Sequence, residues 1–181
     1  IRLAGEFLRK PEMLSLSQDH VHVAEVEHVY YGVPSMRKDR ALVRIIEVEN
    51  PFSAIIFCNT KVNTHYVSEV LKRFGYDAGE LSSDIGQSGR EKVMARARAG
   101  KLRFLVATDV AARGIDIPDL SHVFLYEPPE DQEAYIHRAG RTGRAGASGV
   151  AISLVAGMEE IELKRIGKAY HIDFQERALP T

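Results

Sequence analysis

Apolar positions along the chain alternate between short continuous runs and runs with helical spacing. The continuous runs predict strands at 27–31, 53–58, 78–81, 103–107, 122–126 and 149–155. Between them, apolar residues recur every three or four positions, which predicts helices at 34–49, 61–74, 87–99, 130–139 and 158–170. Because these strands are apolar on both faces, we expect an α/β fold with a mainly parallel sheet and helices on both faces.

Polar residues follow directly after four of the predicted strands. They are Asn59-Thr60-Lys61, Ser82-Ser83-Asp84, Thr108-Asp109 and Glu127-Pro128-Pro129. The carboxyl ends of parallel strands meet at one edge of a sheet, and ligands of open α/β sheets bind there. The pattern therefore predicts a binding site at this edge.

The regular alternation begins near Val26. Residues 1–10 are typical of a short helical end, and residues 11–25 of a linker or an extended segment. With 181 residues, the chain fits one domain of ordinary size that has its own hydrophobic core.

Composition, targeting signals and the single cysteine add three points to this picture. Hydrophobic residues make up 45% of the chain and its formal net charge is -1, so an anion site depends on local clustering of basic residues. We find no signal peptide and no apolar run of membrane length, and we expect a cytoplasmic protein without membrane contact. The single cysteine, Cys58, is a candidate nucleophile or sensor thiol, but its apolar strand favours a buried core thiol.

One local cluster of basic residues lies on and after the third predicted helix. Between Gln87 and Phe104, six basic residues stand against one acidic residue, Glu91: Arg90, Lys92, Arg96, Arg98, Lys101 and Arg103. Arg90 lies in the first helical turn, where a cation opposes the helix dipole. A nucleic-acid phosphate would compensate this charge. The alternative is a solvated surface arginine.

The segment His137-Arg138-Ala139-Gly140-Arg141-Thr142-Gly143-Arg144 spaces three arginines three residues apart. Its two glycines predict that the helix ends there, so that Arg141 and Arg144 project from a tight turn. Guanidinium groups are always charged, and their forked donors match phosphate oxygens. The turn is thus a candidate anion site, against the alternative of a solvated basic loop.

A second block, residues 107–116, follows a predicted strand directly. Thr108 is placed to donate its hydroxyl to a phosphate, beside the backbone amides of a helix start. Gly114 is expected to adopt an unusual backbone angle that turns Asp116 back toward the site, where a carboxylate suits ribose hydroxyls. The alternative is a short capped helix and a turn.

Several motifs of complete nucleotide sites do not occur in the sequence. It contains no phosphate-binding loop, no Gly-x-Gly-x-x-Gly and no Asp-Glu pair after an apolar strand. Asp19, His20 and His22 make a metal site conceivable, but no further ligands stand at suitable spacing, and we assign no metal ligand. The chain therefore has arginines for phosphate but no loop to cradle the nucleotide. It looks like the half of a phosphoryl-transfer site that supplies an arginine finger in trans.

These motifs together resemble a known family. The blocks Ile55–Lys61, Gln87–Arg90, Ala107–Asp116 and His137–Arg144 occur in the order seen in the carboxyl-terminal RecA-like domain of DEAD-box RNA helicases, ATP-dependent enzymes of superfamily 2. The resemblance runs from about Val26 to Tyr170 and implies a three-layer RecA-like fold. It also implies that 1–25 is the end of a preceding RecA-like domain with its linker, and that 26–181 is the carboxyl-terminal domain.

The resemblance implies roles toward ATP and toward the other lobe. Arg141 and Arg144 would be arginine fingers that reach the γ-phosphate, and Asp116 would contact the ribose. His137 and Arg138 would dock on the other domain and couple ATP binding to closure, with Arg113 on the same surface and Phe57 packed beneath the arginine block. ATP would bind with Mg²⁺, whose ligands are expected on the amino-terminal lobe.

It likewise implies an RNA surface that contacts the sugar-phosphate backbone with little sequence preference. Its residues would be Thr60, Lys61, Asp84, Gln87, Arg90 and Thr108. The family often has His-Gly-Asp before its Gln-x-x-Arg element, whereas this chain has Ser82-Ser83-Asp84. A serine hydroxyl would there replace a close contact between the backbone and a phosphate.

The expected function is that of the second lobe of an RNA-unwinding ATPase, whose partners are RNA and its own amino-terminal lobe. Because the chain has neither phosphate loop nor magnesium ligands, we expect the isolated domain to be inactive as an ATPase. Two alternatives remain: a binding module without catalysis, and a DNA helicase of the same superfamily. The complete arginine block favours the enzyme over the binding module, and the Ala112–Asp116 and Gly140–Arg144 runs favour the RNA group.

Overall fold

The structure is a computed structural model that describes residues 25–115, 117, 120–143 and 148–181. The predicted preceding segment 1–10, all but the last residue of the linker 11–25, and the histidine pair with Asp19 lie outside these residues. Asp116 and Arg144 lie outside them as well, so their roles stay predictions.

A single sheet of seven parallel strands forms the centre of the described domain. The strands are Val26–Gly32 (β1), Ala54–Phe57 (β2), Ala78–Leu81 (β3), Phe104–Ala107 (β4), His122–Leu125 (β5), Gly149–Val155 (β6) and Gln175–Glu176 (β7). They lie in the order β3-β4-β2-β5-β6-β1-β7, and every neighbouring pair is parallel. The prediction of a mainly parallel sheet is confirmed, although the short strand β7 was missed.

The helices connect these strands and pack on the sheet. They are Lys38–Glu49 (α1), Lys61–Arg73 (α2), Gln87–Arg98 (α3), Asp109–Ala112 (α4), Gln132–Ala139 (α5) and Glu159–Tyr170 (α6), with a 3-10 turn at Ser35–Arg37 before α1. The α5 helix begins at Gln132, two residues later than predicted, because the Asp131 carboxylate accepts a hydrogen bond from the Glu133 amide and caps the helix there. No helix of the described residues is long and apolar enough to cross a membrane.

Two hydrophobic cores lie on opposite faces of the sheet. Strand β2 shows the division, since Ile55 and Phe57 enter one core while Ile56 enters the other. Helices α1 and α2 cover the face of Ile56, and α5 and α6 cover the opposite face through residues such as Tyr135 and Leu163. The three-layer arrangement predicted from the sequence is therefore confirmed.

Helix α2 packs on the sheet with only part of its apolar residues. Val62, Tyr66 and Phe74 are exposed, whereas Val67 and Leu71 are buried together with two small polar residues, Thr64 and Ser68. The small side chains allow the helix to approach the sheet closely on a narrow face. Burial thus follows the fit against the sheet more closely than it follows hydrophobicity.

Candidate functional site

The loops that follow β2, β3 and β5 meet at the carboxyl edge of the sheet, as the sequence predicts. The Asn59 amide donates a hydrogen bond to the Glu127 carboxylate at 2.8 Å, and the Asn63 side chain donates to the same carboxylate at 2.6 Å. Lys61 lies 2.8 Å from the Asp84 carboxylate. Side chains from separate strands therefore form one connected polar surface.

Arg138 lies at the centre of this edge and is bound on every side. Its guanidinium makes two hydrogen bonds to the Asp109 carboxylate, at 2.6 and 2.7 Å. It also donates to the Asn59 side chain at 2.7 Å and to the Glu127 carbonyl at 2.8 Å. The side chain is 1% exposed and lies 5.3 Å above the Phe57 ring. Arg138 thus ties together the ends of β2, β4 and β5.

These contacts bear on the roles implied for Arg138, Phe57 and His137. The Phe57 ring lies beneath the Arg138 guanidinium, and its role in interdomain coupling stays a prediction. The guanidinium of Arg138 is bound inside this domain, so its docking on the other lobe stays a prediction. His137 is on the same helix, but its side chain is 56% exposed and lies 3.6 Å from Glu133. His137 is therefore the member of the pair that faces outward.

A concavity of about 210 Å³ opens beside Arg138. Its walls include Arg113, His137 and Arg141 together with Phe57. Arg141 is half-buried, and its guanidinium donates to the Ile115 carbonyl at 3.3 Å. With Arg138, five residues that were assigned from the sequence to the nucleotide and interdomain surface thus line one concave surface.

The turn that carries Arg141 is pinned by contacts that the sequence did not reveal. Helix α5 ends before Gly140, as predicted, and Gly143 adopts a φ of 71° that favours glycine. The buried Thr142 hydroxyl donates to the Leu120 carbonyl at 2.5 Å. At Gly149, an added Cβ would lie 2.4 Å from the Thr142 hydroxyl oxygen. The turn is therefore bonded to the segment before β5 and packed against the start of β6.

The Thr108 block forms a short capped helix. The Thr108 hydroxyl oxygen accepts a hydrogen bond from the Ala111 amide at 3.3 Å and caps α4. Gly114 has a φ of 70°, which confirms the unusual backbone angle expected there. A hydroxyl that accepts one hydrogen bond still has a proton to donate, so the cap and the predicted phosphate contact are compatible.

The other candidate RNA residues lie on the same side of the sheet, on the loops after β2 and β3 and on α3. Thr60 caps α2 by accepting from the Asn63 amide at 3.1 Å. Gln87 donates to Glu91 at 3.1 Å, and the half-buried Arg90 lines a groove with Gly114. Because β3, β4 and β2 are neighbours in the sheet, the structure brings the candidates to one region.

The basic cluster of the sequence does not form a single surface. Arg103 precedes β4 at the opposite edge of the sheet, where its guanidinium donates to the Pro51 carbonyl at 2.9 Å and to the Asn50 side chain at 2.8 Å. It also lies 5.6 Å above the Tyr76 ring. Arg103 therefore has a structural role in closing the entry to β2 and β4.

Cys58 is fully buried at the end of β2. Burial raises the pKa of its thiol to about 12, and the nearby Glu127 carboxylate acts in the same direction. A thiol with this pKa carries almost no thiolate at neutral pH. The interpretation of Cys58 as a core residue is confirmed.

Comparison with known proteins agrees with the fold. The helicase conserved C-terminal domain family matches residues 37–146. The ATP-dependent RNA helicase DeaD of Buchnera aphidicola is 39% identical over 179 residues, which are 99% of this chain and 30% of that protein. The chain therefore spans about a third of the length of this curated relative.

Solved structures give the same result. A DEAD box protein from the hyperthermophile Methanococcus jannaschii has a TM-score of 0.79 and 34% identity, over 97% of this chain and 47% of that chain. Saccharomyces cerevisiae Dbp5 bound to RNA and ADP BeF3 has a TM-score of 0.84 and 30% identity, over 98% and 48%. The described domain is thus a RecA-like α/β domain. The chain belongs to the helicase conserved C-terminal domain family, within the DEAD-box group.

Proposed function

We propose that this chain is the second RecA-like lobe of an ATP-dependent DEAD-box RNA helicase, and that it supplies arginine fingers to ATP hydrolysis and a surface for the RNA backbone. The observation that carries the proposal is the concavity shared by Arg113, His137 and Arg141 at the carboxyl edge of the sheet. Basic side chains that open on one concave surface are suited to the phosphates of a ligand held between two lobes.

The residues at this edge fit a nucleotide shared with another lobe. Arg141 and Arg144 would donate hydrogen bonds to the γ-phosphate oxygens and stabilise the charge of the transition state, and Asp116 would accept from the ribose hydroxyls. Bound ATP supplies the phosphoryl group that is hydrolysed. We assign the Mg²⁺ ligands to the amino-terminal lobe of the same protein. In the described residues of this domain, no three His, Cys, Asp or Glu side chains are grouped to hold a metal.

The RNA surface would consist of Thr60, Lys61, Asp84, Gln87, Arg90 and Thr108. Both side chains of the Lys61–Asp84 ion pair are more than half exposed, and exposed ion pairs contribute little free energy. An RNA phosphate can therefore replace Asp84 as the partner of Lys61 with little loss of free energy. Contacts to phosphates and sugars do not distinguish one base from another, so little preference for RNA sequence is expected. The complex of the yeast relative with RNA and ADP BeF3 supports this proposal.

Arg138 would connect the two surfaces. Its partner Asn59 directly precedes Thr60, and its partner Asp109 directly follows Thr108. Both threonines are candidate RNA contacts. The same arginine lies three residues before Arg141 on the pinned turn. Closure of the lobes around ATP would thereby be linked mechanically to the grip on the RNA backbone, and the bent strand would destabilise a short duplex.

The test is RNA-stimulated ATP hydrolysis by the two-lobe parent protein that carries Arg141→Ala. We expect turnover to fall by roughly 10³-fold or more, because an arginine finger contributes about that much in related phosphoryl-transfer enzymes. RNA affinity should change by less than about twofold. The matched control is Arg165→Ala, since Arg165 is exposed on α6 and pairs with Glu162 on the same helix.

The outcomes separate the enzyme from its main alternative. Loss of ATP hydrolysis in Arg141→Ala alone, with RNA binding retained, supports a finger that acts across the lobes. Equal turnover in the parent and in Arg141→Ala would leave this domain as a binding module. The isolated domain should hydrolyse no ATP, and measurable turnover by it would contradict the assignment of the phosphate cradle to the other lobe.

A further inference from the structure

A second concave surface lies away from the site described above. It is a cavity of about 460 Å³ between the start of α1 and the segment 179–181. Three arginines, Arg37, Arg40 and Arg44, line one wall. The sequence motifs and the proposed helicase function make no use of these residues.

The three arginines form a stripe on one side of α1. Their spacing of three and then four residues places them on one helix face, and all three side chains are exposed. Arg37 is the N-cap residue of α1 and Arg40 lies in its first turn. Cations at a helix amino terminus oppose the helix dipole, so this arrangement is unfavourable until an anion binds nearby.

Few neighbouring groups neutralise these charges. Within the described part of the chain, none of the three arginines makes an ion pair, and Arg44 only reaches the Pro180 carbonyl at 3.4 Å. The neighbouring Asp39 accepts from the Tyr66 hydroxyl at 2.8 Å and from the Arg40 amide at 2.8 Å, and it does not line the cavity. Glu47 continues the stripe one turn later but does not line the cavity. The groove therefore has an excess of positive charge.

The floor of the groove is aliphatic. Val33 and Ala41 are nearly buried beneath it, and Leu179 packs against the core on the far wall. Among the residues that line the cavity there is no aromatic ring on which a base could stack. An apolar side chain of a ligand can pack on the aliphatic floor and on the methylene groups of the arginines, while carboxylates beside it bind the guanidinium groups.

Sheet topology separates this groove from the proposed RNA surface. The groove follows β1, whereas Asp84, Gln87 and Arg90 follow β3. Five strand spacings lie between β1 and β3, about 24 Å at roughly 4.8 Å per strand, and three lie between β1 and β2, which Thr60 and Lys61 follow, about 14 Å. A ligand in the groove would thus leave the RNA surface free.

We propose that the groove binds an acidic segment of a partner protein, with carboxylates on Arg37, Arg40 and Arg44 and an apolar side chain on the floor formed by Val33 and Ala41. The positive charge selects the acidic segment, and the aliphatic floor favours a peptide over RNA. This interaction surface is independent of the proposed ATP and RNA chemistry.

The test uses fluorescence anisotropy with the 181-residue chain. The probes are a fluorescein-labelled peptide of glutamates interrupted by leucines, the same peptide with lysines for glutamates, and a labelled single-stranded RNA. We expect Arg40→Glu and Arg44→Glu each to weaken binding of the acidic peptide by at least about tenfold, because charge reversal removes one attraction and adds one repulsion. Arg73→Glu, an exposed arginine at the end of α2, is the matched control and should bind as the original chain does.

The result that supports the proposal is loss of acidic-peptide binding in the two groove variants alone, with RNA binding unchanged and no binding of the lysine peptide. Equal binding of the acidic peptide by all variants, or no binding by the original chain, would overturn it. A loss of RNA binding in Arg40→Glu would assign the groove to nucleic acid instead. Thermal unfolding of each variant verifies that the exposed substitutions leave the fold intact.

Discussion

Arg138 and Arg141 stand three residues apart and differ in almost every physical respect. Arg138 is buried and makes four hydrogen bonds to Asp109, Asn59 and Glu127. Arg141 is half-buried beside an open concavity, and its guanidinium donates to the Ile115 carbonyl at 3.3 Å. We therefore expect Arg138 to contribute chiefly to the folding stability of the domain. Arg141 is the candidate for stabilising negative charge on a bound phosphate ligand.

This assignment predicts different effects of the two alanine substitutions on the isolated domain. Arg138→Ala removes one partner of a buried ion pair and should lower the free energy of unfolding by about 3 kcal/mol. That is the low end of the usual range, because Asp109 remains partly exposed to water. Arg141→Ala should cost less than about 1 kcal/mol. Urea unfolding measures both, and equal losses would contradict the division of roles.

At the scale of elements, the arginine turn depends on the strand that packs behind it. Gly149 begins β6, and its missing Cβ makes room for the Thr142 hydroxyl and the Gly143 amide. Thr142 in turn is bonded to the backbone before β5. The position of Arg141 is therefore set by β5 and β6 as much as by its own turn.

Gly149→Ala tests this dependence. The added Cβ would lie 2.4 Å from the Gly143 amide nitrogen, so the turn must shift. We expect a loss of about 2 kcal/mol in unfolding free energy, by analogy with overpacked cores, and lower ATP turnover in the two-lobe parent. Gly32→Ala is the control, since a Cβ there meets nothing within 4 Å. Unchanged turnover in Gly149→Ala would show that the turn is placed independently of β6.

At the scale of the whole molecule, one parallel sheet carries two separate charged surfaces. The candidate nucleotide and RNA residues follow β2, β3, β4 and β5, whereas the arginine groove follows β1 at the other end of the strand order. Because the net charge is -1, the whole molecule has no positive field, and the positive potential of each surface comes from local clusters of basic residues. The two surfaces should therefore respond independently to substitution.

The salt dependence of RNA binding checks this independence. The two cationic residues of the RNA surface, Lys61 and Arg90, predict a slope of roughly -1.4 for the logarithm of the association constant against the logarithm of salt concentration. Lys61→Gln should make the slope less steep by about 0.7, which corresponds to one phosphate contact. Arg44→Gln should leave it unchanged. Titrations at several salt concentrations measure the slopes, and a flat response of the original chain would contradict the RNA surface.

Much of the fold could be predicted from the sequence. The strands Ala54–Phe57 and Phe104–Ala107 lie within predicted strands, because continuous apolar segments on a parallel sheet are buried on both faces. The strand at Gln175–Glu176 was not predictable, since both residues are exposed and nothing but their pairing with β1 defines them. The division of the apolar residues of α2 into buried and exposed ones also escaped prediction, because small residues at the contact decide how closely a helix approaches the sheet.

The sequence by itself determined the order of the elements, the edge of the sheet that carries the site, and the motifs that place this chain in its family. These follow from local periodicity and from residue types next to strand ends. Only the tertiary structure decided that Arg138 is buried among Asn59, Asp109 and Glu127, that Arg103 lies at the far edge of the sheet, and that three arginines of α1 share a groove with the segment 179–181. The physical reason is that burial and pairing depend on neighbours brought together by the sheet, which are far apart along the chain.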